Sequence, residues 1–195
     1  MLRARDNPFS SDRILRERYR LDATGWERLL DRLRAQRNRG ALVGPHGSGK
    51  TTLLEDLGAR LSAQGHQIRW LRISTERPRL PDEFRSGCRD RAFENEFVLL
   101  DGAEQLGPIS WWQFCYACRN AFGVVVTTHR PGRLKSLHTC RTHPALLHEI
   151  VASLGEQLTP NEAEALYGRH RGNLREALRE LYDRAAASDR GVTRS

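Results

Sequence analysis

The sequence predicts an α/β fold: a parallel sheet flanked by helices, followed by a small C-terminal helical lid. Three observations carry that expectation. Residues 44–52 (GPHGSGKTT) match the spacing G-x-x-x-x-G-K-[ST] and lie between the apolar run Ala41-Leu42-Val43 and a helical pattern with Leu53, Leu54, Leu57 and Leu61. A second apolar run, Phe97-Val98-Leu99-Leu100, ends on Asp101, as a buried parallel strand does when its C-terminal tip reaches a ligand crevice. Strand-like and helix-like segments alternate along the chain until a pair of helices closes it.

The 195 residues suit one domain with an appendage, and the expected division is a nucleotide-binding domain over 1–155, a lid over 156–187 and a frayed tail over 188–195. Apolar stretches are only a few residues long, too short to span a membrane, and the N-terminal residues lack the apolar core of a secretory signal. A cytoplasmic protein is expected. Four cysteines (Cys88, Cys115, Cys118, Cys140) are too few for a disulfide scaffold in a chain of this size. The net charge of +8 favours a polyanionic partner such as DNA. That excess is nearly all arginine, with Lys50 and Lys135 the only lysines, so coding bias is a competing explanation.

Taken in order, Asn7-Pro8-Phe9-Ser10-Ser11 reads as a turn capping a short helix with Ile14, Leu15 and Tyr19. Thr24 and Glu27 form a capping-box pair ahead of Trp26, Leu29, Leu30 and Leu33, which repeat at helical spacing. The opposite face, with Arg28, Arg32 and Arg34, is basic and reads as a solvated surface before it reads as a DNA contact. Residues 68–73 (IRWLRI) have strand composition, residues 77–81 (RPRLP) form a loop, and a weak helix is expected over 82–93. Ser110 and Gln113 predict a helix over 111–122 with Trp111, Cys115, Cys118 and Phe122 on one face. Val124-Val125-Val126 begins another buried strand that ends in Thr127-Thr128-His129-Arg130. A short fifth strand is expected near 137–140 and an amphipathic helix over 145–154. Leu158-Thr159-Pro160 with Glu162 opens the two helices of the lid, joined near Arg171-Gly172-Asn173.

The chemistry follows from these placements. Gly44, Gly47 and Gly49 let backbone amides converge on phosphate oxygens, and the helix that follows adds the positive end of its dipole. The candidate nucleotide-binding set is Gly44, Pro45, His46, Gly47, Ser48, Gly49, Lys50, Thr51 and Thr52. Lys50 suits the β- and γ-phosphates of ATP, and Thr51 and Asp101 suit Mg²⁺. Glu104 reads either as a water-orienting base or as an ordinary solvent-facing acid. Of the strand-end hydroxyls, at least one of Thr127 and Thr128 should face the same crevice, and Thr128 is the catalytic candidate. Cys115-x-x-Cys118 and Cys140-x-x-His143 can be written as a zinc site, but the first pair falls on an apolar helix face where core packing is the simpler account.

With these features in place the chain resembles a compact member of the AAA+ superfamily of P-loop ATPases, over about residues 7–187. Residues 97–101 are similar to a Walker B strand, and Thr127-Thr128 falls where sensor 1 stands. Residues 158–160 with Gly172-Asn173-Leu174-Arg175-Glu176-Ala177-Leu178 resemble the lid of clamp-loader, origin-recognition and transposition-helper ATPases. The resemblance implies that Arg175 touches the γ-phosphate as sensor 2, that Asn7-Pro8-Phe9 approaches the adenine, and that the partner is a protein or nucleoprotein complex engaged by an oligomer. Two departures stand out. The residue directly after Asp101 is Gly102 where that family carries a glutamate, and Arg130, Arg133 and Arg141 compete for the role of arginine finger. The expectation is an ATP-binding, Mg²⁺-dependent ATPase; a switch that binds ATP with little hydrolysis, or a small-molecule kinase using Arg85, Arg89 and Arg91, are the alternatives.

Overall fold

A computed structural model describes residues 21–76, 78–85 and 93–192. The segment expected to approach the adenine, the first expected helix, Cys88, Arg89 and Arg91 lie outside the described residues, as does the side chain of Arg85. The chain divides into two compact units. Among the described residues one comprises Leu21–Gly44 with Lys50–Cys140, and the other comprises Pro45–Gly49 with residues 141–192.

The first unit is a five-stranded, wholly parallel sheet. Its strands are β1 (Arg39–Val43), β2 (Gln67–Arg72), β3 (Glu96–Asp101), β4 (Gly123–Thr128) and β5 (Ser136–Thr139), in the spatial order β2-β3-β4-β1-β5. Strands β1, β3 and β4 are the near-continuous apolar runs of the sequence because both their faces are covered; Ala41, Leu42, Val98, Leu99, Leu100, Val125 and Val126 are fully buried. Edge strand β2 alternates instead, burying Leu71 and exposing Trp70 and Arg72. On one face, Ala41, Val43, Val98, Leu100, Val124 and Val126 pack with Phe84, Phe114 and Ala117. The helices of this unit are α1 (Ala23–Ala35), α2 (Lys50–Ala63), the short α3 (Asp82–Arg85) and α4 (Pro108–Ala117).

Two helix starts differ from expectation. Helix α1 begins at Ala23, capped by the Asp22 carboxylate, which accepts from Gly25 N at 2.7 Å, so Thr24 sits inside the first turn. Helix α4 begins at Pro108 after Gly107, three residues ahead of the expected position, and Ser110 is its third residue. A proline at the first helical position has no amide to lose there and is pre-set in φ. Phe114, Ala117 and Cys118 are buried, the expected Trp111 and Cys115 pack partly buried against the same cluster, and Ile109, Trp112 and Tyr116 point outward, as does Phe122 beyond the helix. Helix α4 contains no charged residue, and its exposed rings stack, Trp112 on Tyr116 at 5.7 Å, with the Arg119 guanidinium 4.2 Å over Tyr116.

In the second unit α5 (Pro144–Ser153), α6 (Pro160–Arg169) and α7 (Leu174–Val192) share one apolar cluster of Leu147, Val151, Leu166, Leu174, Ala177, Leu178 and Leu181. Helix α5 therefore belongs with the lid helices and the helical unit begins at Arg141, earlier than the expected boundary near 156. The capping box at Thr159 and Glu162 forms as expected, with each residue bonding the other's amide at 3.3 and 2.8 Å. Helix α7 continues through Val192, past the residue where the tail was expected to start.

Candidate functional site

The glycine-rich loop leaves β1 at Gly44, whose amide donates to Thr128 O at 3.1 Å, and α2 begins at Lys50. Gly47 (φ +70) and Gly49 (φ +81) are both left-handed, a conformation glycine adopts without steric cost. Within the helical unit a Cβ on Gly47 would stand 2.1 Å from Asn173 Oδ1 and 3.0 Å from the backbone nitrogen of Arg175. The loop thus lies against the first turn of α7, which carries the exposed Arg175 side chain. Ser48 is 3% exposed and its hydroxyl has no hydrogen-bond partner among the described residues. Such a buried orphan hydroxyl fits a bound group that brings its own acceptor oxygens, as a phosphate does. Pro45 and His46 are exposed, and Lys50 is buried.

Within the α/β unit, register assembles the acidic end of the site. Arg72 pairs with Asp101 across β2 and β3, and Leu100 pairs with Val126 across β3 and β4, so the next step sets Asp101 beside Thr127. Thr51 Oγ1 donates to both Asp101 carboxylate oxygens, at 3.2 and 3.1 Å. Thr127 Oγ1 donates to Asp101 Oδ1 at 2.7 Å and accepts from Gly102 N at 2.9 Å. A hydroxyl and a carboxylate in contact form the hard-oxygen donor set that suits Mg²⁺. The hydroxyl turned to Asp101 is that of Thr127, while Thr128 Oγ1 donates to Arg130 O at 3.1 Å. Neighbouring residues on a strand point to opposite faces, so only one of the two can reach the aspartate.

Two residues absent from the expected site adjoin it. Arg72 Nε lies 3.5 Å from Asp101 Oδ2, and its guanidinium also bonds Glu55 at 3.0 Å. His129 Nε2 stands 2.9 Å from Glu104 Oε1, within ion-pair distance, and both side chains are largely covered. Glu104 sits on a 3-10 turn (Ala103–Gln105) that follows Gly102, and its Oε2 is buried without a hydrogen-bond partner among the described residues. It is therefore not the solvent-facing acid of the competing reading. The signal for His129 was its place directly after the strand end at Thr128; the signal for Arg72 was visible only in the register.

The thiols are packed rather than poised for metal. Burial raises the Cys115 thiol and pushes that of Cys118 up to about 12, as befits thiols packed against apolar neighbours. Cys140 is buried, and His143 caps α5 by accepting from Leu146 N at 3.0 Å. Among the described residues no group of three or more metal-ligating side chains gathers, and no helix is long and apolar enough to cross a membrane. Of the three arginine-finger candidates, Arg133 donates to Leu106 O and stacks 4.8 Å over Trp111, while Arg130 and Arg141 are exposed.

No protein-family model matches the chain, and no curated protein matches it significantly. Among solved structures, AMPPCP-bound DnaA from Aquifex aeolicus matches over 78% of this chain and 58% of its own, at 12% identity and a TM-score of 0.50. The chain thus spans less than two thirds of that protein. At this identity the likeness concerns the fold: an α/β sheet flanked by helices, of the kind the glycine-rich loop and Asp101 predict.

Proposed function

We propose that the chain binds ATP with Mg²⁺ and hydrolyses it, as a compact ATPase of the AAA+ type. The observation that carries this reading is the contact of Thr51 with Asp101, because it joins the last residue of the GPHGSGKT loop to the tip of the second apolar strand, at 3.1 Å. The loop amides and Lys50 hold the triphosphate, and Thr51 and Asp101 hold the metal. When bound, Mg²⁺ neutralises charge that develops on the phosphate oxygens during transfer. Thr127 fixes the Asp101 carboxylate and ties it to the Gly102 amide, so the acid cannot swing away from the metal position. Arg175 is assigned to the γ-phosphate by the resemblance of the segment 172–178 to AAA+ lids, and within its own unit its backbone lies close to Gly47 of the loop. The AMPPCP bound in the DnaA neighbour supports ATP as the nucleotide.

A partner of protein or nucleoprotein character is supported by the uncharged outer face of α4, where Ile109 and Trp112 are 76% and 65% exposed. The net charge of +8 supports DNA within such a complex. A second reading, an ATP-binding switch with little turnover, is favoured by one observation: Gly102 stands where the hydrolytic glutamate of these ATPases belongs. Phosphate release from Mg-ATP, measured with and without DNA, separates the two. Turnover that Lys50→Ala abolishes supports the ATPase; ATP binding without phosphate release under either condition supports the switch.

A further inference from the structure

We propose that His129 is a positioning residue for Glu104, and that this pair supplies the water-orienting base which the backbone excludes directly after Asp101. The inference rests on the ATPase reading above and names where its base comes from. Gly102 has φ +90, and a Cβ there would stand 2.1 Å from Ile73 O, a separation real Cβ atoms essentially never show. Ile73 cannot simply withdraw, because its amide donates to Asp101 O at 2.9 Å. The Gly102 amide is itself committed to Thr127 Oγ1. The loss of the usual glutamate is thus built into the strand tip, and no side chain at residue 102 restores it without dismantling the Asp101 contacts.

Glu104 is the next carboxylate, and its backbone is fixed. The turn that carries it closes through Gln105 N to Gly102 O at 3.0 Å and Leu106 N to Ala103 O at 3.2 Å, with Ala103 fully buried. The two carboxylate oxygens are unlike. Oε1 lies 2.9 Å from His129 Nε2, within ion-pair distance, while Oε2 is buried with no donor among the described residues. A buried acceptor left unpaired is costly, and a water that donates to it satisfies the oxygen. That is the arrangement of a base held beside an imidazole through one oxygen and left unpaired at the other. In the reaction the water oxygen bonds the γ-phosphorus and one of its protons passes to Glu104 Oε2. The bond between that phosphorus and the β,γ-bridging oxygen breaks, and its electron pair leaves on ADP.

The test uses the full chain, with Mg-ATP affinity measured by calorimetry and phosphate release measured at saturating nucleotide. His129→Ala is expected to lower kcat about 10–100-fold, the usual cost of removing a partner that orients a functional group, while leaving ATP affinity unchanged. His129→Gln, which keeps a donor, is expected to recover part of the loss. Glu104→Gln should match or exceed the His129→Ala defect, and the double variant should lose no more than Glu104→Gln alone. The proposal is overturned if His129→Ala and His129→Gln, both confirmed folded by circular dichroism, keep wild-type kcat or exceed it. It is also overturned if both lose ATP affinity in step with turnover. Wild type that binds Mg-ATP but releases no phosphate overturns the pair and leaves nucleotide binding standing, whereas wild type that binds no ATP overturns the underlying reading too.

Discussion

Replacing Gly102 by alanine tests the strand tip on which the site depends. Gly102 and Gly65 have the same φ, +90, but a Cβ on Gly65 would meet nothing within 4 Å while one on Gly102 would meet Ile73 O at 2.1 Å. Gly65→Ala therefore measures the left-handed backbone alone, about 1–2 kcal/mol. Gly102→Ala adds the displacement of the Ile73 carbonyl, whose residue is tied by its amide to Asp101 O, an overpacking term of about 1–3 kcal/mol. Its total of about 2–5 kcal/mol is a large share of the roughly 5–15 kcal/mol that folded domains possess. Urea unfolding of the two variants and wild type, followed by far-ultraviolet circular dichroism, gives both differences directly. Mg-ATP affinity should fall only for Gly102→Ala, because the Gly102 amide and Asp101 share Thr127. If Gly102→Ala proves no less stable than Gly65→Ala and binds ATP like wild type, the steric account of residue 102 is wrong.

Other outcomes follow from individual side chains. His138 has its pKa lowered, first by burial and then by the Arg32 charge, so its folded value lies below its unfolded one. Its contribution to stability is then present above the ordinary histidine range near 6.5 and lost as pH falls through the lower folded value; urea midpoints should drop between about pH 7 and pH 5, and His138→Gln should flatten that slope. Cys118, with its thiol pushed up to about 12, should resist iodoacetamide at about pH 8 in the native protein and react on unfolding, as peptide mass spectrometry after labelling will show. Leu147→Ala, at a fully buried position in the helical cluster, should cost about 2–5 kcal/mol by urea unfolding; a loss under about 0.5 kcal/mol would detach α5 from the lid helices.

The sheet was legible because its strands announce themselves. Val98 to Leu100 and Val124 to Val126 are buried on both faces and so read as unbroken apolar runs, and the loop spacing fixed which strand comes first. The lid capping box was legible because Thr159, Pro160 and Glu162 satisfy one another locally. Local rules erred where two caps competed within a few residues: Asp22 took the role expected of Thr24, and Pro108 opened the helix ahead of Ser110. The choice between Thr127 and Thr128 depends on pairing register, which is set by contacts between β3 and β4 rather than by either segment. The same holds for Arg72 beside Asp101. The approach of His129 to Glu104 brings a strand end to a turn 25 residues earlier, and that proximity is a property of the folded sheet alone.

The central claim is nucleotide binding by the GPHGSGKTT loop, and calorimetric titration of Mg-ATP into wild type and Lys50→Ala tests it most directly. Saturable binding by wild type, weakened about tenfold or more by Lys50→Ala, a loss of about 1.4 kcal/mol or more, is the predicted result. Absence of binding by folded wild type, or equal affinity in the two proteins, would contradict it.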